Sequence, residues 1–127
     1  MMRLHHVQVA CPPGGEDEAR RFWRDGLGMT EVPKPADLAG RGGCWFRAGA
    51  EAGGAEVHVG VEDPFAPARK AHPALLVADV AGLERLGGSL EAAGFDVDWG
   101  ERHTFAAYQR FHTRDAHGNR VEVLAPA

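Results

Sequence analysis

The chain has 127 residues, 44% of them hydrophobic, and a formal net charge of −4 at pH 7. This length predicts a single domain, residues 1–127, with enough apolar residues for a substantial core. The basic residues are dispersed, and no apolar run approaches the roughly 20 residues that span a bilayer, so neither nucleic acid nor a membrane is an expected partner. Because the start has no signal-peptide pattern, we expect a cytoplasmic protein that binds a small molecule.

The first half of the sequence predicts a strand, a helix and three further strands. The opening strand alternates, which places His6 and Gln8 on the face opposite its valines. In the last strand of this half, His58 shares the polar face with Glu56. The predicted bounds are 4–11 for the first strand, 16–27 for the helix, and 30–32, 43–47 and 56–61 for the later strands.

The second half repeats this order after a connector at residues 62–70. Asp79 is expected to cap a helix whose apolar residues recur at helical spacing until Gly94. The predicted order is strand 72–77, helix 80–93, and strands 95–99, 107–113 and 120–124. The chain therefore predicts an α+β fold of two βαβββ modules, module 1 at about 1–62 and module 2 at about 70–127.

The duplication also repeats a pair of polar residues. His6 and His58 are 52 residues apart in module 1, and His72 and Glu122 are 50 residues apart in module 2. Three imidazoles and a carboxylate are ligands typical of a borderline divalent metal ion. Glu122 lies between two valines, which indicates that its side chain shares the polar face and needs a cation or another partner there.

Both cysteines and three of the histidines are assigned no metal-binding or catalytic role, and His5 is interpreted as structural or as part of an interface. Cys11 and Cys44 are too few for a disulfide framework and are expected to be free thiols. His5 should point to the side opposite His6, because neighbouring strand residues alternate. A loop and a turn should leave the last two histidines solvated, namely His103 and His117.

These residues resemble the vicinal oxygen chelate superfamily, which includes glyoxalase I, bleomycin-resistance proteins and extradiol dioxygenases. The resemblance is carried by the duplicated βαβββ plan, by the opening at residues 6–9, by the restart at residues 72–75 and by the closing segment 114–123. It implies two curled half-barrel sheets around a cavity that can hold a divalent metal. Proteins of this kind and length are usually homodimers, and one cavity can be formed within a chain or across two chains.

The resemblance also implies roles for individual residues. His6, His72 and Glu122 match metal-ligand positions, and His58 matches the position of a fourth ligand, although Glu56 could take its place. Gln8, Tyr108, Arg110 and His112 lie on polar-side positions where they could bind substrate. His112 in particular is expected to face the substrate, and it and Glu122 are the candidate catalytic residues.

Two functions remain open at this point. The first is a metal-dependent enzyme, with Zn, Ni, Co, Mn or Fe, that chelates a small oxygen-rich substrate and performs isomerase, lyase or oxygenase chemistry. The second is a metal-free protein that sequesters a small molecule, as bleomycin-resistance proteins do. The ligand set favours the enzyme.

Overall fold

The structure is a computed structural model that describes residues 1–49 and 53–127. It has a mixed α+β fold with two four-stranded sheets, one from each half of the chain. The predicted plan of two βαβββ modules in curved sheets is confirmed. Among the helices of the described ranges, none has both the length and the apolar character needed to cross a bilayer.

Sheet 1 belongs to module 1 and has the strand order β1-β4-β3-β2. β1 runs parallel to β4, and the other pairs are antiparallel. Two edges of the sheet are therefore formed by β1 and β2. The elements of this module are β1 (His6–Cys11), α1 (Glu16–Arg20) with a π-helical segment (Arg21–Gly26), β2 (Thr30–Val32), α2 (Ala36–Ala39), β3 (Cys44–Arg47) and β4 (Glu56–Val61).

Sheet 2 repeats this topology in module 2, with the strand order β5-β8-β7-β6. β5 is parallel to β8 and forms one edge of the sheet. The Asp79 side chain accepts a hydrogen bond from the Gly82 N–H and caps the helix, as predicted. The elements are β5 (Ala74–Leu76), α3 (Val80–Ala92), β6 (Val97–Asp98), β7 (Tyr108–Arg114) and β8 (Arg120–Pro126).

Several predicted bounds are wrong, and local hydrogen bonds explain why. The strand predicted at 72–77 is shorter because Pro73 has no N–H to donate to the ladder. The strand predicted at 95–99 keeps only two residues, because the Phe95 N–H binds the end of α3 and the Asp98 side chain accepts the Gly100 N–H. A short helix, α2, lies between the strands predicted at 30–32 and 43–47, where no element was predicted.

Both modules contribute to the same hydrophobic core. Phe22 and Trp23 of the π-helical segment are fully buried, and the Phe22 ring lies edge-on to Phe95 of module 2 at 5.1 Å. Leu83 and Leu90 of α3 are buried in the same cluster. The alternation in the sequence therefore places the valines before and after His58 and Glu122 inward, and His58 and Glu122 lie on the other face of their sheets.

The strand register places the repeated polar residues at equivalent positions. Gln8 lies opposite His58 across the parallel pair of sheet 1, and Ala74 lies opposite Glu122 across the parallel pair of sheet 2. The first histidine of each repeated pair lies two residues before Gln8 or Ala74. His58 and Glu122 are thus structural equivalents, as their spacing in the sequence indicates.

Candidate functional site

A buried carboxylate is the centre of the polar face of sheet 2. Glu122 is 3% exposed, and its Oε1 atom lies 3.3 Å from His72 Nε2 and 3.1 Å from His112 Nε2. One potential ligand atom from each of these three residues lies within 4.8 Å of the others. Two imidazoles and a carboxylate are residue types that bind divalent metals, so this group could hold one.

Arg110 completes this group, which we call the carboxylate cluster (His72, Arg110, His112 and Glu122). Its Nη1 donates to Glu122 Oε1 at 3.1 Å, and its Nη2 donates to the Thr104 hydroxyl at 2.9 Å. The guanidinium also lies 5.4 Å from the centre of the Phe105 ring. Because an isolated buried carboxylate is costly, this cation compensates the charge of Glu122.

His112 lies directly opposite Glu122 in the antiparallel pair of β7 and β8. Its burial lowers the pKa of the imidazole, and the nearby Arg120 and Arg110 lower it further, whereas Glu122 acts in the opposite direction. The neutral imidazole is therefore favoured at neutral pH. A neutral ring can ligate a metal ion or accept a proton.

The polar face of sheet 1 carries the aromatic stack, formed by His6, Trp45 and His58. The His58 ring is parallel to Trp45 at 3.8 Å between centroids and to His6 at 4.0 Å. His58 Nε2 lies 3.0 Å from Glu56 Oε1. Burial lowers the pKa of His58, against the opposing influence of Glu56, while the hydrogen bond from His58 lowers the pKa of Glu56.

The four predicted metal ligands are divided between the two sheets. His72 and Glu122 are in the carboxylate cluster, whereas His6 and His58 are in the aromatic stack. In the described part of the chain, His112 rather than either of those histidines lies with His72 and Glu122 in a group of potential metal ligands.

The predicted substrate-binding residues lie near both groups. Gln8 and His72 line one cavity of about 420 Å³ between β1 and the start of module 2. Arg110 and His112 are in the carboxylate cluster, and the Tyr108 ring lies 5.0 Å from Phe105, close to Arg110.

Two interpretations of single histidines are wrong. His5 does not point away from His6, since their Nδ1 atoms are 2.9 Å apart. It precedes β1, so strand alternation does not constrain it. His117 is not simply solvated, because it is partly buried and its Nε2 lies 2.8 Å from the Gly15 carbonyl oxygen.

The close pairing of His112 with Glu122 was not read from the sequence, although a signal for it exists. The two residues are equally spaced from His117, the centre of the turn between the last two strands. In an antiparallel hairpin, residues at equal distances from the turn face each other. In module 1 it is harder to find opposed residues by counting from the turn, because the connection between β3 and β4 is longer.

Solved structures of other proteins have a similar fold. A protein from Bacillus anthracis, described as a glyoxalase family protein, is 38% identical in sequence and superimposes with a TM-score of 0.86. The match covers 100% of this chain and 97% of that protein. Lactoylglutathione lyase from Agrobacterium tumefaciens is 20% identical with a TM-score of 0.69, and coverage is 97% of this chain and 92% of that protein.

The antibiotic binding protein TnmS3 from Streptomyces sp. CB03234 has a similar fold. It is 16% identical with a TM-score of 0.70, and coverage is 100% of this chain and 98% of that protein. The search of curated proteins gives no match.

A family model matches residues 3–123. The chain belongs to the Glyoxalase/Bleomycin resistance protein/Dioxygenase superfamily, in agreement with the resemblance of its sequence.

Proposed function

We propose that this protein is a metal-dependent enzyme that acts on a small oxygen-rich substrate by chelating it to a divalent metal ion. The observation that carries the proposal is the convergence of His72, His112 and Glu122, whose ligand atoms lie within 4.8 Å of one another. Both rings present Nε2 to the same carboxylate oxygen. Such a set leaves positions for two adjacent substrate oxygens.

The chemistry of these residues fits a divalent cation. Burial keeps His112 neutral, and a neutral imidazole is the form that binds metals. Glu122 is buried among groups that compensate its negative charge, which a metal ion would do as well. When bound, such an ion acts as a Lewis acid that stabilises an enolate or oxyanion.

The chain's own residues supply binding and proton transfer. Arg110, which reaches the cluster from β7, can hold a carboxylate or another oxyanion of the substrate. Among the described residues, three side chains form hydrogen bonds with the Glu122 carboxylate, and all three contact Oε1. Oε2 is therefore left to accept a proton from the substrate. Glu122 is then the general base, and His112 holds or moves a proton at Nε2 when it does not ligate the metal.

We propose further that a homodimer completes the site. His6 is exposed on β1, an edge strand, and it stacks with His58 on a sheet different from that of the carboxylate cluster. In a dimer, the polar face of sheet 1 from one copy can approach the carboxylate cluster of the other. The predicted ligands His6 and His58 of one copy would then lie near His72 and Glu122 of the other, and His112 would face the substrate.

A metal-free sequestering protein is the second candidate function. The ion pair between Arg110 and Glu122 favours it, because the buried carboxylate already has a cationic partner. The aromatic stack offers a flat surface of the kind that binds planar ligands. Both candidates bind a small molecule, and they differ in whether the carboxylate cluster binds metal.

Elemental analysis of the protein, purified without chelators, tests the metal. We expect about one divalent ion per chain, and at least a tenfold lower content after Glu122→Gln or His72→Ala, because each removes a ligand. His103→Ala is the matched control, since His103 is exposed and outside the cluster. A wild type without bound divalent metal, or a metal content that both substitutions leave unchanged, would contradict a metal site at the carboxylate cluster and favour sequestration.

The identity of the metal found by elemental analysis also indicates the type of reaction. Iron would favour dioxygenase activity, because two histidines and a carboxylate form the facial triad of non-haem iron oxygenases. Zinc, nickel, cobalt or manganese would favour isomerase or lyase chemistry. A molar mass from light scattering near twice the 13.6 kDa of the chain, in the same sample, would support the dimer.

A further inference from the structure

A polar cleft of about 800 Å³ adjoins the carboxylate cluster at one end of sheet 2. His112 of the cluster is among its lining residues, so the cleft reaches one residue of the candidate metal site. One part of the cleft lining, which we call the basic wall, consists of cations. Its cations are Arg69, Lys70, Arg114 and Arg120.

Two of these cations form an unusual cross-strand pair. Arg114 of β7 lies directly opposite Arg120 of β8. Like charges at directly opposed positions destabilise a sheet, because the side chains leave the backbone only about 5 Å apart. At the equivalent pair of module 1, Arg47 lies opposite Glu56, and the two form an ion pair of 3.0 Å. Module 2 therefore has an arginine where module 1 has the neutralising carboxylate.

The basic wall lacks carboxylate partners within the described ranges. No salt bridge to Arg69, Lys70, Arg114 or Arg120 is found there. Arg114 donates to the Gly118 carbonyl oxygen and Arg120 to that of Lys70, so each guanidinium keeps other N–H groups free.

In the described part of the chain, no ion pair joins this wall to the acidic residues that line the cleft, which are Asp96, Asp98, Glu101 and Asp115. Asp115 is buried and accepts hydrogen bonds from Asn119 and from the His117 N–H. Asp98 accepts the Gly100 N–H, and Glu101 accepts a hydrogen bond from Thr104. Arg114 and Arg120 therefore form a cationic pair two residues along their strands from His112 and Glu122, whereas Asp98 lies opposite His112 on β6.

We propose that this cleft binds an anionic group of the substrate, a carboxylate or a phosphate, through Arg114 and Arg120. Both side chains lie on the strand face that carries His112 and Glu122, since each is two residues from one of them. A bound oxyanion would screen the two guanidinium groups from each other and accept bidentate hydrogen bonds from them. This inference rests on the proposed function, in which another part of the same molecule chelates the metal.

Metal-free protein tests the inference separately from the proposed function. We would titrate it with inorganic phosphate and with malonate at low salt, and follow the arginine Nε–Hε signals by NMR. We expect saturable shifts with at least one probe, and the tighter probe identifies the group as phosphate or carboxylate. Because this titration involves no metal, the anion can bind even if the protein binds no metal, and the protein can bind metal even if the anion does not bind. The two proposals can therefore fail separately.

Arg120→Glu is the most informative variant, because it creates at this position the Arg–Glu pair that module 1 has. We expect it to fold at least as stably as the wild type and to bind the anion at least tenfold more weakly. Arg41→Gln, at an exposed arginine outside the cleft, should stay within twofold of the wild type. No saturable shift with either probe, undiminished binding by Arg120→Glu, or an equal loss in Arg41→Gln would each overturn the inference.

Discussion

At the scale of single residues, the environment of Glu122 decides what the site can bind. His72, Arg110 and His112 all direct a nitrogen to the same oxygen of a carboxylate that is 3% exposed. A guanidinium and a metal ion would compete for that oxygen, because both would compensate the same buried charge.

This competition gives a prediction for Arg110→Met. In metal-free protein the variant should lower the free energy of unfolding by about 2 kcal/mol, because a buried carboxylate loses its charged partner. Added nickel or zinc should restore the stability, since the metal then compensates Glu122 alone. Urea unfolding with and without the metal measures both effects.

Arg85→Met is the matched control, because Arg85 is exposed on α3 and outside the cluster. It should change stability by less than about 0.5 kcal/mol, as for most surface substitutions. A loss in Arg110→Met that saturating metal leaves unchanged would show that the guanidinium and the metal do not share Glu122.

At the scale of elements, strand pairing brings together residues that are far apart in sequence. β4 is central to sheet 1, between β1 and β3, so His58 is covered by a residue from each neighbour. The result is the aromatic stack, with His58 4% exposed. Burial on a strand face therefore controls the ionisation of a residue that resembled a simple metal ligand in the sequence.

The lowered pKa of His58 predicts a pH dependence of stability. The unfolded chain binds more protons than the folded one as the pH falls past the ordinary value near 6.5, so the free energy of unfolding decreases there. The contribution is fully present above that value. Glu56, whose pKa is also lowered, acts in the same direction but only at more acidic pH, near and below 4.5.

Urea unfolding at about pH 7.5 and about pH 5 would measure this, on either side of the ordinary histidine pKa. His58→Gln keeps a donor for Glu56 but cannot titrate, so it should lose less stability on acidification than the wild type. Some dependence should remain because the pKa of His112 is lowered as well. The exposed His103→Gln should behave as the wild type does, and an unchanged slope in His58→Gln would contradict the assignment.

At the scale of the whole molecule, one buried amide joins the two modules. Asn119 is 1% exposed; its Nδ2 donates to the Ala10 carbonyl oxygen of β1 at 2.8 Å and to Asp115 at 2.9 Å, and its Oδ1 accepts the Ala68 N–H at 3.0 Å. The same side chain therefore contacts module 1, the connector and the last turn of module 2.

Asn119→Ala should lower the free energy of unfolding by about 3 kcal/mol, because it leaves buried donors and acceptors without partners. Chemical denaturation followed by tryptophan fluorescence measures the loss. Gln8→Ala removes an exposed amide instead and should cost less than about 0.5 kcal/mol. Similar losses in both variants would show that the amide of Asn119 does not hold the modules together.

The sequence by itself determined the repeated order of elements and the sidedness of the strands. The period-two alternation places His6, His58 and Glu122 on polar faces, and the helix cap at Asp79 is a local hydrogen bond. These features depend on neighbours within a few residues, which is why they can be read without a fold.

Only the tertiary structure decided which polar residues meet. Register across the strands, which depends on long-range pairing, puts His112 against Glu122 and an arginine pair beside them. It also separates His6 and His58 from His72, because the two sheets are distinct. The spacing of ligands along the chain is a local property, whereas their distance in space depends on how sheets and modules pack.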